Sequence, residues 1–253
     1  MENRSAVLEL RNVGVRYGDR VALHNVSFSV AAGELIGVIG PNGAGKSTLF
    51  KAICGLVNHD GAVDVNGVHC HHRVDRMDVA YIPQHNAVDL LFPITVGELV
   101  ISGRRRYHSW YQRMGASDRA ATTTALQAVG LQGYDNRSLA ELSGGQLQRA
   151  FIARALTQHA SVMLLDESLS GVDQPTTNDL FDLFARLAQS GTTLMVSTHD
   201  LALARRRFTR CLAINGTLQG DGSAQVVLSP EILDATFGSA KLPDETSHRA
   251  LAD

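Results

Sequence analysis

Gly40-Pro41-Asn42-Gly43-Ala44-Gly45-Lys46-Ser47 fits the pattern G-x-x-x-x-G-K-[ST], and Thr48 follows directly. The flanks give it context. Glu34 to Ile39 is a short apolar run, and Lys46 to Leu56 reads as a helix. A strand that turns through glycines into a helix aims backbone N–H groups at phosphate oxygens. The helix N-terminus adds partial positive charge. Lys46 is then placed for the β- and γ-phosphates of a nucleotide, and the Ser47 hydroxyl for Mg²⁺.

A second stretch completes that reading. Val162-Met163-Leu164-Leu165 is a continuous apolar run, as expected for a parallel strand covered on both faces. It delivers Asp166 and Glu167 to its C-terminal edge, where open α/β sheets bind ligands. Asp166 is then expected to support Mg²⁺ through water, and Glu167 to act as the general base for an attacking water.

Outward from these two stretches, strand and helix patterns alternate. Strands are expected at Ala6 to Leu10, Val21 to Val30, Gly61 to Val68 with an Asn66-Gly67 turn, Val79 to Ile82, and Thr192 to Ser197. From Pro93 to Leu139 the pattern turns helical, best at Thr95 to Ser102 and at Ser117 to Val129, with Ser117 as N-cap. Further helices are expected at Leu142 to His159 and Asn178 to Gln189. This order means α/β, a mostly parallel sheet with helices inserted in mid-chain.

Composition narrows the class. The 253 residues are 44% hydrophobic and 19% charged, so the chain is globular rather than disordered. Lys plus Arg is 23 and Asp plus Glu is 25, a net −2, which disfavours a broad nucleic-acid surface. Three cysteines without a CxxC indicate neither a disulfide framework nor a zinc ribbon, and a reducing compartment is expected. There is no secretory leader pattern and no run of eighteen apolar residues.

Leu142-Ser143-Gly144-Gly145-Gln146 lies between the phosphate loop and Asp166. In that order the chain resembles the ATP-binding subunits of ABC transporters over nearly its whole length. The resemblance implies a P-loop NTPase fold of RecA-like type: a mostly parallel core, an N-terminal antiparallel β subdomain and an inserted α-helical subdomain. It implies one nucleotide-binding domain over 1–253, with the insertion near 90–140 and a polar tail at 241–253. Gly40, Pro41, Asn42, Gly43, Ala44, Gly45, Lys46, Ser47 and Thr48 match the loop around the phosphates. Ser143, Gly144, Gly145 and Gln146 resemble the groups that hold the γ-phosphate bound to the other subunit. Tyr17 resembles the aromatic stacked on adenine, and Gln84 the glutamine that senses Mg²⁺ and the attacking water. Asp173 resembles the end of the loop joining two active sites, and His199 the histidine on the γ-phosphate. One departure is Ser168, where the family usually has proline after the catalytic glutamate; a tuning effect is implied, since the chemistry needs only the Glu167 carboxylate.

The resemblance also implies ATP and Mg²⁺ as cofactors, a homodimer closing over two ATP molecules, and a separate membrane permease. Asp89-Leu90-Leu91-Phe92-Pro93-Ile94-Thr95-Val96, Ser170-Gly171-Val172-Asp173 and the stretch from Gly103-Arg104 through Trp110-Tyr111 are similar to ATPases of manganese, zinc and iron importers. An extracytoplasmic metal-binding protein and a place on the cytoplasmic face of the membrane are therefore implied, with no nucleic acid. The alternatives are an ABC ATPase for another substrate, a soluble ABC ATPase, and a non-hydrolysing regulator. One LSGGQ and no room for long inserts disfavour the second, and Glu167 with His199 the third.

Three clusters get the plainer reading. His69-Cys70-His71-His72 reads as a solvated loop, because adjacent strand residues point to opposite faces and cannot easily share one tetrahedral ion. Arg104 to Arg106 reads as a charged loop near the membrane or partner, and Arg205 to Arg207 as a solvated helix face.

Overall fold

The computed structural model describes residues 6–70, 78–84, 93–109, 112–167 and 173–238. The chain opens with a hairpin, β1 (Ala6–Tyr17) and β2 (Arg20–Ala31), then enters β3 (Leu35–Ile39) and α1 (Lys46–Ile53). β4 (Asp60–Val65) and β5 (Val68–His69) form a second hairpin, followed by β6 (Val79–Ile82). A helical stretch comes next: α2 (Val96–Ser102), a 3₁₀ turn at Gly103–Tyr107, α3 (Ala116–Ala128), a 3₁₀ turn at Leu139–Glu141, and α4 (Gly144–Gln158). The chain returns to β7 (Val162–Leu165), α5 (Gln174–Gln189), β8 (Thr193–Thr198) and α6 (Leu201–Arg207). It closes with β9 (Arg210–Asn215), β10 (Thr217–Ser223), α7 (Ala224–Val227) and α8 (Pro230–Phe237).

Among the described residues these strands make two sheets. One is antiparallel, in the order β2-β1-β4-β5. The other is six-stranded, β10-β9-β3-β8-β7-β6, parallel except for the antiparallel edge strand β10. Side chains alternate across the second sheet, as strand geometry requires. Ile36, Val38, Leu164 and Met195 face α1 and the antiparallel sheet. Ile39, Met163, Leu165, Leu194 and Val196 face the opposite core, shared with α4, α5 and the helical stretch. Both faces are covered, which is why β7 and β8 are buried at every position.

The α/β class, the parallel core and the antiparallel N-terminal sheet agree with the sequence reading. Boundaries differ for local reasons. β1 runs on to Tyr17 because Asn12, at φ 53°, forms a bulge and donates its N–H to Ser27 Oγ at 2.8 Å. The bulge breaks the alternation that ended the expected strand at Leu10. Ser117 is not an N-cap. It lies inside α3, which starts after Gly115, and the Gly115 N–H donates to Asp118 Oδ2 at 2.8 Å. α4 starts after Ser143 rather than at Leu142, and α5 starts after Asp173, before the expected Asn178. α1 stops at Ile53, short of Leu56.

The arginines correct two expectations. Arg104 and Arg106 are not loose surface charges. Arg104 pairs with buried Asp118 at 3.0 Å and lies over the Tyr107 ring, while Arg106 bonds Asp78 at 2.5 Å. Arg207 is half-buried over the Phe181 ring and donates to Asn178, so only part of that basic face is solvated. His69 bonds Asp64 at 2.6 Å, and Cys70 is buried. His71 and His72 lie outside the described residues, as do Asp89 to Phe92, Trp110, Tyr111, Ser168 to Val172 and the tail at 241–253.

Candidate functional site

The phosphate loop spans the gap between β3 and α1, where two glycines are required by space and by backbone geometry. A Cβ on Gly40 would lie 2.2 Å from the Ile214 carbonyl oxygen, so the loop can press against β9 only with glycine there. Gly45 caps α1 at φ 98°, and a Cβ there would also meet the Leu23 side chain at 2.6 Å. Lys46 is buried and folds back along the loop. Its ammonium donates to the Gly40 carbonyl at 2.8 Å and the Pro41 carbonyl at 3.0 Å. It stands 3.3 Å from Glu167 Oε1.

A cleft of about 570 Å³ opens over this loop. Residues 42–48 form one wall, Tyr17 stands beside it, and Gln84 and Glu167 face it from the far side. Tyr17 is 47% exposed at the end of β1, so its ring is free to stack. Gln84 Nε2 donates to Glu167 Oε2 at 3.1 Å, and His199 Nδ1 lies 3.9 Å from Glu167 Oε1. Lys46, Gln84 and His199, scattered along the chain, thus surround the Glu167 carboxylate.

Asp166 sits just behind, 2% exposed. Ser197 Oγ donates to its Oδ1 at 3.0 Å and Tyr81 OH to its Oδ2 at 2.9 Å. Such bonds offset the cost of burying a carboxylate. Burial, then the Asp166 charge, pushes the Tyr81 phenol far above its ordinary value, so it stays a donor.

Ser143 to Gln146 and Asp173 do not line this cleft. They begin helices. The Ser143 hydroxyl accepts the Gln146 N–H at 3.3 Å, and the Gln146 side chain accepts the Ser143 N–H at 3.0 Å, a reciprocal capping box. Asp173 caps α5 by accepting the Thr176 N–H at 2.9 Å, which holds its carboxyl below the ordinary range. Pro41 and Gly40 underlie the loop rather than lining the cleft.

Arg20 and Ala22, which line the cleft beside Tyr17, and the contacts of Tyr81 and Ser197 with Asp166 are not foreseen from the sequence. Ser197 carried a signal: it is a hydroxyl at the end of a run buried on both faces. Arg20 carried none, because its place depends on how the first hairpin folds over the loop.

Oxygen donors at the site suit a hard cation. The Ser47 hydroxyl and the Gln84 carboxamide line the cleft, and the Asp166 carboxylate lies behind it. Among the described residues there is no cluster of His, Cys, Asp and Glu arranged to hold a metal ion by itself. No described helix is long and apolar enough to cross a membrane.

A strand-to-helix phosphate loop facing a strand-end carboxylate pair, on a parallel sheet beside an antiparallel one, defines a nucleotide-binding ATPase cassette. Residues 23–170 match the ABC transporter family. The chain belongs to that family and is an ATPase. It is 39% identical to the manganese transport system ATP-binding protein MntB of Halalkalibacterium halodurans, over 91% of this chain and 92% of the relative. It is 35% identical to the chelated iron transport system membrane protein YfeB of Yersinia pestis, over 97% and 84%. Among solved structures, an ABC transporter's ATP-binding cassette in its ADP conformation matches with TM-score 0.79, 25% identity and coverage of 91% and 98%. A dimeric bacterial ABC transporter cassette matches with TM-score 0.76, 27% identity and coverage of 86% and 98%.

Proposed function

We propose that this chain is the ATP-hydrolysing subunit of a divalent-metal importer, with manganese the first candidate and iron or zinc next. The observation that carries the catalytic part is the meeting of Lys46 and Glu167 at 3.3 Å, with Gln84 on the second Glu167 oxygen. The metal assignment is supported by manganese and iron transport relatives that match most of the chain.

ATP lies along residues 40–48, its adenine on Tyr17 and its γ-phosphate beside Lys46, whose charge offsets that of the phosphate oxygens. Glu167 takes a proton from a water in the cleft. The water oxygen bonds to the γ-phosphorus, and the bond from that phosphorus to the β–γ bridging oxygen breaks, releasing ADP and phosphate. Gln84 and His199 orient the Glu167 carboxylate and the reacting groups. Ser47, Gln84 and Asp166 would hold Mg²⁺, Asp166 through water since it is buried behind the cleft. When bound, the ion supplies neutralisation of the phosphate charge.

The helix start at Ser143 serves ATP held by a second copy, and Asp173 ends the loop that joins the two sites, so two chains close head to tail. This closure drives a membrane permease at the cytoplasmic face, which receives its metal from an extracytoplasmic binding protein. The helical unit near 90–140 is an insertion into one nucleotide-binding domain. The test is reconstitution with the permease in vesicles. ATP-dependent accumulation of Mn²⁺ is expected, and Glu167→Gln should abolish it. ATP-driven transport of a solute other than a divalent metal would overturn the metal assignment and leave the ATPase intact.

A further inference from the structure

β8 is buried along its whole length, and Ser197 within it is 2% exposed. A hydroxyl in such a place destabilises the fold unless it is bonded. The Ser197 hydroxyl has two partners. The backbone N–H of Glu167 donates to Ser197 Oγ at 2.8 Å, and Ser197 Oγ lies 3.0 Å from Asp166 Oδ1. A serine hydroxyl carries one proton, and an ionised carboxylate only accepts. The direction of both bonds is therefore set: Ser197 accepts from Glu167 and donates to Asp166.

Glu167 needs such a restraint. Its φ is 44°, in the left-handed region that residues bearing a Cβ adopt reluctantly. Strained backbone of this kind persists only where its surroundings over-determine it. The left-handed turn sends the Glu167 side chain over the phosphate loop to Lys46 and Gln84. On the other side, the Tyr81 hydroxyl occupies Asp166 Oδ2 at 2.9 Å, so the carboxylate that anchors Ser197 is itself held at both oxygens. Tyr81 and Ser197 come from β6 and β8, the two strands that flank β7 in the sheet.

We infer that Ser197 is a positioning residue for hydrolysis: its hydroxyl ties the backbone of Glu167 to the Asp166 carboxylate and so aims the Glu167 carboxylate into the cleft. This rests on the reading of Glu167 as general base. The role acts through Glu167, and Ser197 does not line the cleft.

The test measures Mg-ATP turnover by the purified full chain, with thermal melting to confirm that each variant is folded. Ser197→Ala removes only the hydroxyl. Its kcat should fall at least about tenfold while the KM for ATP stays within about twofold, as expected when an interaction that matters in the transition state is lost. In a Glu167→Gln background, Ser197→Ala should lower the residual rate by less than about twofold, because residues acting as one unit are not additive. The Glu167 backbone amide should exchange with solvent at least about tenfold faster in Ser197→Ala, a readout independent of activity. Ser197→Cys keeps the size with a weaker donor and should fall between wild type and alanine, which covers the case of an alanine variant that does not fold. Wild-type kcat in Ser197→Ala, or an equal proportional loss in both backgrounds, would overturn the inference. Wild-type turnover by Glu167→Gln would instead remove the base assignment beneath it.

Discussion

Lys46, Gln84 and Glu167 follow three different strands of one sheet and meet within hydrogen-bonding range, whereas Ser143 and Asp173 bond to residues three positions further along their own helices. The first group is an assembled site. Each of its members touches a partner that only the sheet order brings near. The second group comprises helix starts whose geometry is complete within four residues. The contrast teaches how the two groups are built: the cleft depends on sheet order, whereas the cap residues are preorganised locally, and under the proposed function they meet a phosphate held by a second copy.

The strongest way to break the assembled half is at its centre. Glu167→Gln keeps the size and the contact with Gln84 but removes the base, so turnover should fall at least about 100-fold while ATP still binds. Steady-state hydrolysis and equilibrium ATP binding measure the two parts. Mixing Lys46→Ala chains with Ser143→Ala chains sharpens the comparison. If the helix start serves the partner's cleft, each mixed dimer has one doubly damaged site and one intact site. Activity should then rise above that of either variant alone. No rise, together with normal ATP-dependent dimerisation, would return Ser143 to a role within its own chain.

Next in size is the edge of the cleft. Tyr17→Ala should weaken ATP binding by about 1–3 kcal/mol if stacking is its role, and Tyr17→Phe should be near neutral. Equal damage from both would assign the effect to the hydroxyl. Smaller again is the cap itself. Ser143→Ala should lower stability by about 1 kcal/mol through loss of the N-cap, read from denaturant unfolding, while Ser143→Asn should recover most of it. ATP binding by the isolated chain should be unchanged in both.

The least effect is expected far from the nucleotide. His108, the Gly115 N–H and Arg104 hold the buried Asp118 carboxyl well below the usual carboxylate range. A depressed folded-state value means stability that is present above the unfolded value, about 3.9, and is lost as the pH falls toward the folded one. The melting difference between wild type and Asp118→Asn should therefore be full at pH 7 and shrink below about pH 4. A difference constant across that range would assign the effect to packing.

The phosphate loop and the strand Val162–Leu165 were legible in the amino-acid order because each is a local device. A phosphate loop needs glycines followed by Lys-Ser. A strand buried on both faces needs only an unbroken apolar run. Even the place of Glu167 was readable, since the end of such a strand puts it at the sheet's ligand edge. The tertiary structure alone decided what holds that carboxylate. Nothing in the sequence says that β6 and β8 flank β7, because strand order is a choice among non-local pairings made by packing of both sheet faces. Only that order brings Tyr81 and Ser197 to the two oxygens of Asp166, and Ser197 to the Glu167 amide. The left-handed turn at Glu167 likewise has no local sequence cause. It is sustained by hydrogen bonds from neighbouring strands, whose strength depends on distance in space and not on distance along the chain.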